Sequence, residues 1–498
     1  MSKLLSVGSE KEIAKLTMTK KTVSTINGLM DAIDALGDGD EIIVEPGTYN
    51  FSNTLDIWPD GNDGLTIRAR NDAVGGGKDR SILDFSNAGQ NSGVQIHADR
   101  VTLRGFEVQN SGWSGVAVFH GPDQPQDCFL YRCDVHHNPE PGIKMAGTGH
   151  VAVECDSHDN KGNPHNADGF NGDGGSDLRF WRCRAWNNAD DGYDMLRGPN
   201  CSFYHCWAVE TDGGNGFKLG DAGNSVDGGN HRLERCVAYG NTQHGFTYNS
   251  ANQPNEVVNC TAWDNGSQNK NDYRNFKFRD DDLASGEAHY LRNNVSLDGT
   301  VEMVGTDDVN NSWNMGISDP QFQSLTPDDP GFLRPQAGSS LIDAGVDTGV
   351  IHAGPAPDLG GIEYWNAPAG AYTNPSEGAT NWHEPLNALW LDIEADLAML
   401  SKRIESLGGA AVATPTMNTP PAGATDWHIP LNKNFTMLET AIADLANEAA
   451  AIGASASVTT SYATPSEGTV DWDTTLNSNF ADIQTSVRNL VTAVTERE

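Results

Sequence analysis

Between about residues 101 and 265 the chain alternates short apolar and polar positions in runs of three or four, each closed by Asn or Gly. The runs form a repeating unit of strand, Asn turn and strand. It reads Phe106-Glu-Val-Gln-Asn110 then Gly115-Val-Ala-Val, and Cys133-Asp-Val-His-His-Asn138 then Gly142-Ile-Lys-Met. It continues through Cys155 to Asn160 with Gly169-Phe-Asn, Cys183 to Asn188 with Gly192-Tyr-Asp-Met, Cys206 with Gly216-Phe-Lys-Leu, and Cys236 to Asn241 with Gly245-Phe-Thr-Tyr. The glycines lie 27, 27, 23, 24 and 29 residues apart. One coil of a parallel β-helix consumes about that much chain, whereas a β-propeller blade needs a period of roughly 40 to 50. The period therefore predicts a mainly β protein, a right-handed parallel β-helix. Val116, Ile143, Phe170, Tyr193, Phe217 and Phe246 follow their glycines and form one expected inward ladder. Cys133, Cys155, Cys183, Cys206, Cys236 and Cys260 sit at one repeating position and form a second wall, which argues against both a disulfide framework and a zinc site.

Flanking segments have other periods. Residues 25–36 read as a short amphipathic helix placed to cap the first open coil, and residues 37–49 as a strand ending in a turn. Beyond residue 366 a second repeat, of period 45, opens at Asn381-Trp-His, Asp426-Trp-His and Asp471-Trp-Asp. Each opening precedes a helical pattern with apolar steps of 3 and 4, such as Phe435, Leu438, Ile442, Leu445, Ala449 and Ile452. A seam of two or three heptads is too short to stand alone. Its partners are either two other copies of the chain, giving a homotrimer through the C-terminal helices, or the other helices of the same chain; the near-identity of the modules favours the trimer. The expected organisation is a 1–21 extension, a 22–366 β-helix, and helical modules at 367–410, 411–455 and 456–498.

Charge narrows the function. Acidic residues number 68 against 32 basic ones, a net charge of −36. That balance excludes nucleic-acid binding by phosphate attraction and suits a surface working at high salt. No run reaches the roughly 18 apolar residues of a membrane span, and the first residues carry neither the apolar core of a signal peptide nor a twin arginine.

Aligned on their glycines, the coils place side chains in columns. The position before the glycine reads Ser114, Pro141, Asp168, Asp191, Asn215, His244; two after it comes Ala117, Lys144, Asn171, Asp194, Lys218, Thr247. Asp168 and Asp191 are thus expected on adjacent coils, with Asp190 beside them and Asp194 three residues on. Asp and Asn often do no more than cap turns, but four converging carboxylates repel unless protonated or bridged by a cation. An oxygen-only donor set suits Ca²⁺. Lys218 falls in the column of Asp194, one coil on. Beside a carboxylate already neutralised by Ca²⁺ its ammonium loses its support and can act as a base. That pair suits removal of the proton α to a uronate carboxylate, with departure of the C4 oxygen.

The runs Asn166-Ala-Asp-Gly-Phe170, Asn187-Asn-Ala-Asp-Asp-Gly-Tyr-Asp194 and Gly214-Asn-Gly-Phe-Lys-Leu-Gly220 resemble the active-site motifs of the polysaccharide lyase family 9 pectate lyases. The resemblance covers roughly residues 22–366, because residues 339–364 resemble the last coil and exit loop of such lyases. It implies that Asp168, Asp190, Asp191 and Asp194 bind the catalytic Ca²⁺, that Lys218 is the base, and that an acidic, pectate-like polysaccharide is cleaved by β-elimination. Two departures concern substrate contacts: Asn171-Gly-Asp-Gly-Gly175 follows the first motif where the family carries small residues and a lysine, and the stretch from Asp194 to Lys218 is short. Arg197 and Arg279 are candidates for further uronate carboxylates, or for pairing with surface acids.

The C-terminal modules resemble those of viral tail fibres. This puts the chain on a virion, with other tail proteins as partners, or outside a cell. The competing reading is a non-catalytic adhesin on the same scaffold, which has no use for Lys218; a glycoside hydrolase needs two spaced acids, and these aspartates are crowded. Gly75-Gly-Gly-Lys78 lacks the spacing of a phosphate loop. His136-His137 ends a strand opposite no evident carboxylate pair and reads as a solvated turn. Trp382, Trp427 and Trp472 read as packing residues ahead of their helices.

Overall fold

The computed structural model describes residues 19–58, 63–71, 80–119, 124–162, 165–220, 228–327, 329, 331–348, 350 and 356–362. It also describes residues 393, 397, 410, 412, 428–451, 453, 454, 456–459, 461, 462, 479, 482, 483, 486, 487, 489 and 490. The Gly75–Lys78 run and the tryptophans Trp382, Trp427 and Trp472 lie outside these residues. Chain contacts divide the molecule into two units, Met1–Val309 and Asn310–Glu498.

The first unit is a stack of coils, each passing in turn through three long sheets. One coil contributes Arg179–Trp181, Arg184–Trp186 and Tyr193–Asp194; the next contributes Ser202–Tyr204, Trp207–Val209 and Phe217–Lys218. Every pairing between coils is parallel, and the register keeps equal offsets opposite one another: Arg184 faces Trp207, Tyr193 faces Phe217 and Asp194 faces Lys218. This is the parallel β-helix expected from the period.

Such short strands need sharp corners. Single residues with positive φ turn them, among them Asp177 at 56°, Arg182 at 49° and Asn187 at 53°, with Asn200, His205 and Glu210 one coil later. A left-handed non-glycine residue costs about 1–2 kcal/mol, and the amide ladder that follows one corner offsets it. Asn160 Oδ1 accepts from the backbone N–H of Asn138 at 3.1 Å and from its Nδ2 at 2.9 Å, and Asn188 Oδ1 receives the same pair from Asn160. Asn241, Asn265 and Asn275 repeat the arrangement. The ladder corrects one alignment. Asn110 is a left-handed corner residue with φ 59°, and the ladder position on its coil belongs to Ser111, whose N–H and Oγ donate to Asn138 Oδ1.

Inside, Phe170, Tyr193, Phe217, Phe246 and Phe276 stack with centroids 4.9, 4.6, 4.9 and 4.9 Å apart, the spacing of the coils themselves. The cysteines form the second wall. All eight are free and buried, and Cys183, Cys206 and Cys236 each direct Sγ to a backbone carbonyl of the preceding coil at 3.3–3.5 Å. At the open end lies helix Ile26–Ile33, its N-cap Thr25 accepting the Gly28 N–H; it buries Leu29, Ala32 and Ile33. The helix thereby shields coil edges that would otherwise pair with another chain.

The second unit contains the helices Ser312–Met315 and His428–Ala451. The seam residues Phe435, Leu438, Ile442, Leu445 and Ala449 of the longer helix are buried within the single chain, as are Ile393, Leu397, Ile483, Val487 and Leu490. Tyr462 donates its N–H to Glu439 and Thr459 to Ser486. These seam residues are thus covered by packing within one chain.

Truncating one rung of the aromatic stack should cost about as much as a large core cavity. Phe246→Ala is expected to lower unfolding stability by about 3–5 kcal/mol in a denaturant titration.

Candidate active site

The site sits where a tight corner meets the third sheet. Gly192 is required there: a Cβ would lie 2.7 Å from the Gly216 carbonyl and 2.8 Å from the Ala208 side chain. Because the corner is pressed so closely onto the next coil, the residue before the glycine points its side chain into a dry seam, and the residue two after it emerges on the outer face of the sheet. Asp168 and Asp191 occupy the first position on adjacent coils; Asp194 and Lys218 occupy the second on adjacent coils.

Asp168, Asp191 and Asp194 are 0, 1 and 4% exposed. Each offers a carboxylate oxygen within 4.8 Å of the other two. Backbone and amide donors hold them. Asp168 accepts from Asn171 Nδ2 at 2.8 Å and from the Asp191 N–H at 3.1 Å. Asp191 Oδ1 accepts from the backbone N–H and Nδ2 of Asn215 at 2.6 and 2.8 Å. Lys218 Nζ lies 3.0 Å from both Asp191 Oδ2 and Asp194 Oδ2. Asp190 is half-buried at the corner and is not one of the three whose oxygens converge. Asn171 and Asn215, which orient two of the acids, stood in the aligned columns but carried no assigned role; only the register identifies their partners.

The charges do not balance. One ammonium faces three buried carboxylates, with a fourth adjacent. Burial, then the charges of Asp194, Asp191 and Asp190, holds the Asp168 carboxyl far above its ordinary range. Burial and then Asp191 push Asp194 up to about 8 and Asp190 up to about 7. Burial alone would lower the Lys218 pKa, but Asp191 and Asp194 outweigh it and hold the ammonium more firmly than in an ordinary lysine. Near neutrality the missing positive charge must come from protons or from a cation. Asp194 Oδ1 is buried with no hydrogen-bond partner, and Asp191 Oδ2 is buried with Lys218 Nζ as its one close cation. One orphaned carboxylate oxygen among three converging carboxylates, with no sulfur or imidazole in the group, fits a hard, oxygen-preferring cation such as Ca²⁺. Asp168, Asp191 and Asp194 are the residues that could hold it, with Asp190 alongside.

The two arginines are already engaged. Arg197 pairs bidentately with Asp173 at 2.8 and 2.5 Å, and Arg279 pairs with Asp281 at 2.6 Å and Glu302 at 2.8 Å. Pairing with surface acids is therefore what this structure shows for both. The His136 expectation is overturned. His136 Nε2 lies 3.4 Å from Glu107, and the neighbouring His158 Nε2 lies 2.9 Å from Asp134, which Arg80 also meets at 2.6 Å. Parallel register brought these carboxylates alongside from the same strand and the coil before.

With this geometry in hand, similarity to known proteins takes a definite form. Residues 13–293 match the family described as Pel9A-like, right handed beta helix region. Pectate lyase L of Dickeya dadantii is 31% identical over 378 residues, 67% of this chain and 84% of that protein. Pectate lyase L of Paenibacillus polymyxa is 30% identical over 380 residues, 65% of this chain and 80% of that one. The crystal structure of pectate lyase Pel9A superposes with a TM-score of 0.60 at 28% identity, covering 70% of this chain and 97% of that one.

The raised carboxyl pKa values carry a stability signature. A carboxyl whose folded pKa is raised stabilises the fold fully at acid pH and loses that contribution as pH rises through its folded value, here about 7 for Asp190 and about 8 for Asp194. In the presence of a chelator the melting temperature should therefore fall between pH 6 and pH 9. Calcium at about 100 times its dissociation constant should restore about 2.7 kcal/mol, with a larger rise in melting temperature at pH 9 than at pH 6.

Proposed function

The chain belongs to the Pel9A-like right-handed β-helix family of polysaccharide lyases, and from that premise we propose that it cleaves a uronate-containing, pectate-like polysaccharide by Ca²⁺-dependent β-elimination. Lys218 is the base, and Asp168, Asp190, Asp191 and Asp194 form the cation site. The observation that carries the reading is Lys218 standing 3.0 Å from two buried carboxylates, one of which, Asp194, keeps an oxygen without a partner.

When bound, the cation supplies positive charge for the substrate carboxylate and for the enolate-like charge that develops beside it. The chain's own residues do the rest. Asn171 and Asn215 fix the rotamers of Asp168 and Asp191, so the acids cannot turn to solvent. Once their charge is shared with a cation, Asp191 and Asp194 no longer hold the Lys218 proton, and Nζ becomes available as a neutral amine. Nζ then takes the proton on C5, the electron pair forms the C4–C5 double bond, and the glycosidic oxygen on C4 leaves with its bonding electrons. The product is a 4,5-unsaturated uronate and a new chain end.

An acidic polymer is met outside cells, which supports an extracellular or virion-displayed setting, and the repeated C-terminal modules suit such display. The excess of 68 acidic over 32 basic residues supports work at high salt. The test is ultraviolet absorbance of the unsaturated product on polygalacturonate and other uronate polymers, with calcium or a chelator. Lys218→Ala should lower turnover by about 10²–10⁴-fold with its melting curve intact. Full turnover in that variant, or glycan binding with no product from the unaltered chain on any polymer, would reject the lyase reading in favour of an adhesin.

A further inference from the structure

The outward column of the third sheet extends well beyond the catalytic pair. From one coil to the next it runs Lys144, Asn171, Asp194, Lys218, Thr247, Lys277. Adjacent rungs are about 4.8 Å apart, which puts Lys144 about 14 Å to one side of Lys218 and Lys277 about 10 Å to the other.

These two lysines are unusual for this chain. With 68 acidic residues against 32 basic ones, a cation easily finds a carboxylate, and the arginines nearest the site are both paired. Lys144 and Lys277 are each partly exposed, and neither makes a hydrogen bond or ion pair with any described residue. Lys144 stands between Ala117 and Asn171, neither of which is charged. Lys277 stands opposite Glu302, but that carboxylate is taken by Arg279 at 2.8 Å, with Arg274 at 3.8 Å. The face that carries Lys218 thus keeps two cations without a hydrogen bond in line with it, Lys144 with no charged neighbour in its column and Lys277 sharing the field of Glu302 with two arginines, on a molecule whose net charge is −36. Such a row is complementary to a polyanion laid along the helix axis.

We propose that Lys144 and Lys277 are carboxylate-binding subsites on opposite sides of the reaction centre. Each would hold one carboxylate of a bound chain long enough to span both. The inference rests on the lyase reading of the Asp194–Lys218 centre and extends it to substrate choice. Each lysine binds one sugar carboxylate, neither touches the reacting atoms, and together they set the length of polymer that the site holds along the coils.

Binding can be read without turnover. In the Lys218→Ala background with calcium present, calorimetry with galacturonate oligomers of increasing length should show Lys144→Gln and Lys277→Gln each weakening long oligomers by about fivefold. Oligomers too short to reach the altered lysine should bind unchanged. With Lys218 intact, the same substitutions should raise KM while leaving kcat within about twofold, and Lys144→Arg should retain tight binding. Unchanged affinity for long oligomers, or an equal loss on short and long ones, would overturn the proposal. Failure of the lyase reading registers separately, as absence of unsaturated product from the chain with Lys218 intact.

Discussion

Everything in the first unit follows from coils stacking in parallel and in register at the spacing of hydrogen-bonded strands. That stacking sets each side chain against its counterpart one coil away, so the column, rather than the individual residue, decides what is stable. An aromatic column gains face-to-face packing, with centroids at 4.6–4.9 Å. An asparagine column gains a continuous amide ladder. A cysteine column lines a second wall, with Sγ atoms turned to carbonyls of the preceding coil.

The same rule applied to carboxylates produces a conflict. Asp168 and Asp191 share a column, Asp194 lies beside them, and the register allows none of them to move away. Water is excluded at 0–4% exposure, so repulsion between the acids is poorly screened. Under the proposed function a single added cation would resolve it, and resolving it would change the state of Lys218 in the neighbouring rung. Rigidity that stabilises the rest of the stack thus becomes preorganisation at the centre. The exposed continuation of that column offers a path for an extended polyanion.

Much of this was legible in the sequence because parallel register preserves offsets. Once Gly192 and Gly216 are aligned, Asp194 must face Lys218 and Tyr193 must face Phe217, whatever the loops do. Where loops intervene, legibility ends. Nothing in the spacing shows that Arg197 meets Asp173 or that Arg279 meets Asp281, since those pairs form across the surface after the coils are built. Asn110 looks like a ladder residue because it is the asparagine nearest the end of its strand, but strand pairing and the hydrogen bonds from Ser111 to Asn138 put Ser111 in that position. Asp190 read as a fourth converging acid from its position in the sequence, yet the oxygens that come within 4.8 Å of one another are those of Asp168, Asp191 and Asp194. In the second unit the 3-4 pattern tells which face is covered but carries no information about whether the cover comes from the same chain.

The coupling between the aspartate cluster and Lys218 is best tested by titrating the Lys218 side chain by NMR, once with calcium and once with a chelator. The account predicts that the lysine is held protonated well above its ordinary pKa without calcium, and that calcium lowers its pKa substantially. A Lys218 pKa indifferent to calcium would contradict the claim that a cation on Asp168, Asp191 and Asp194 frees the base.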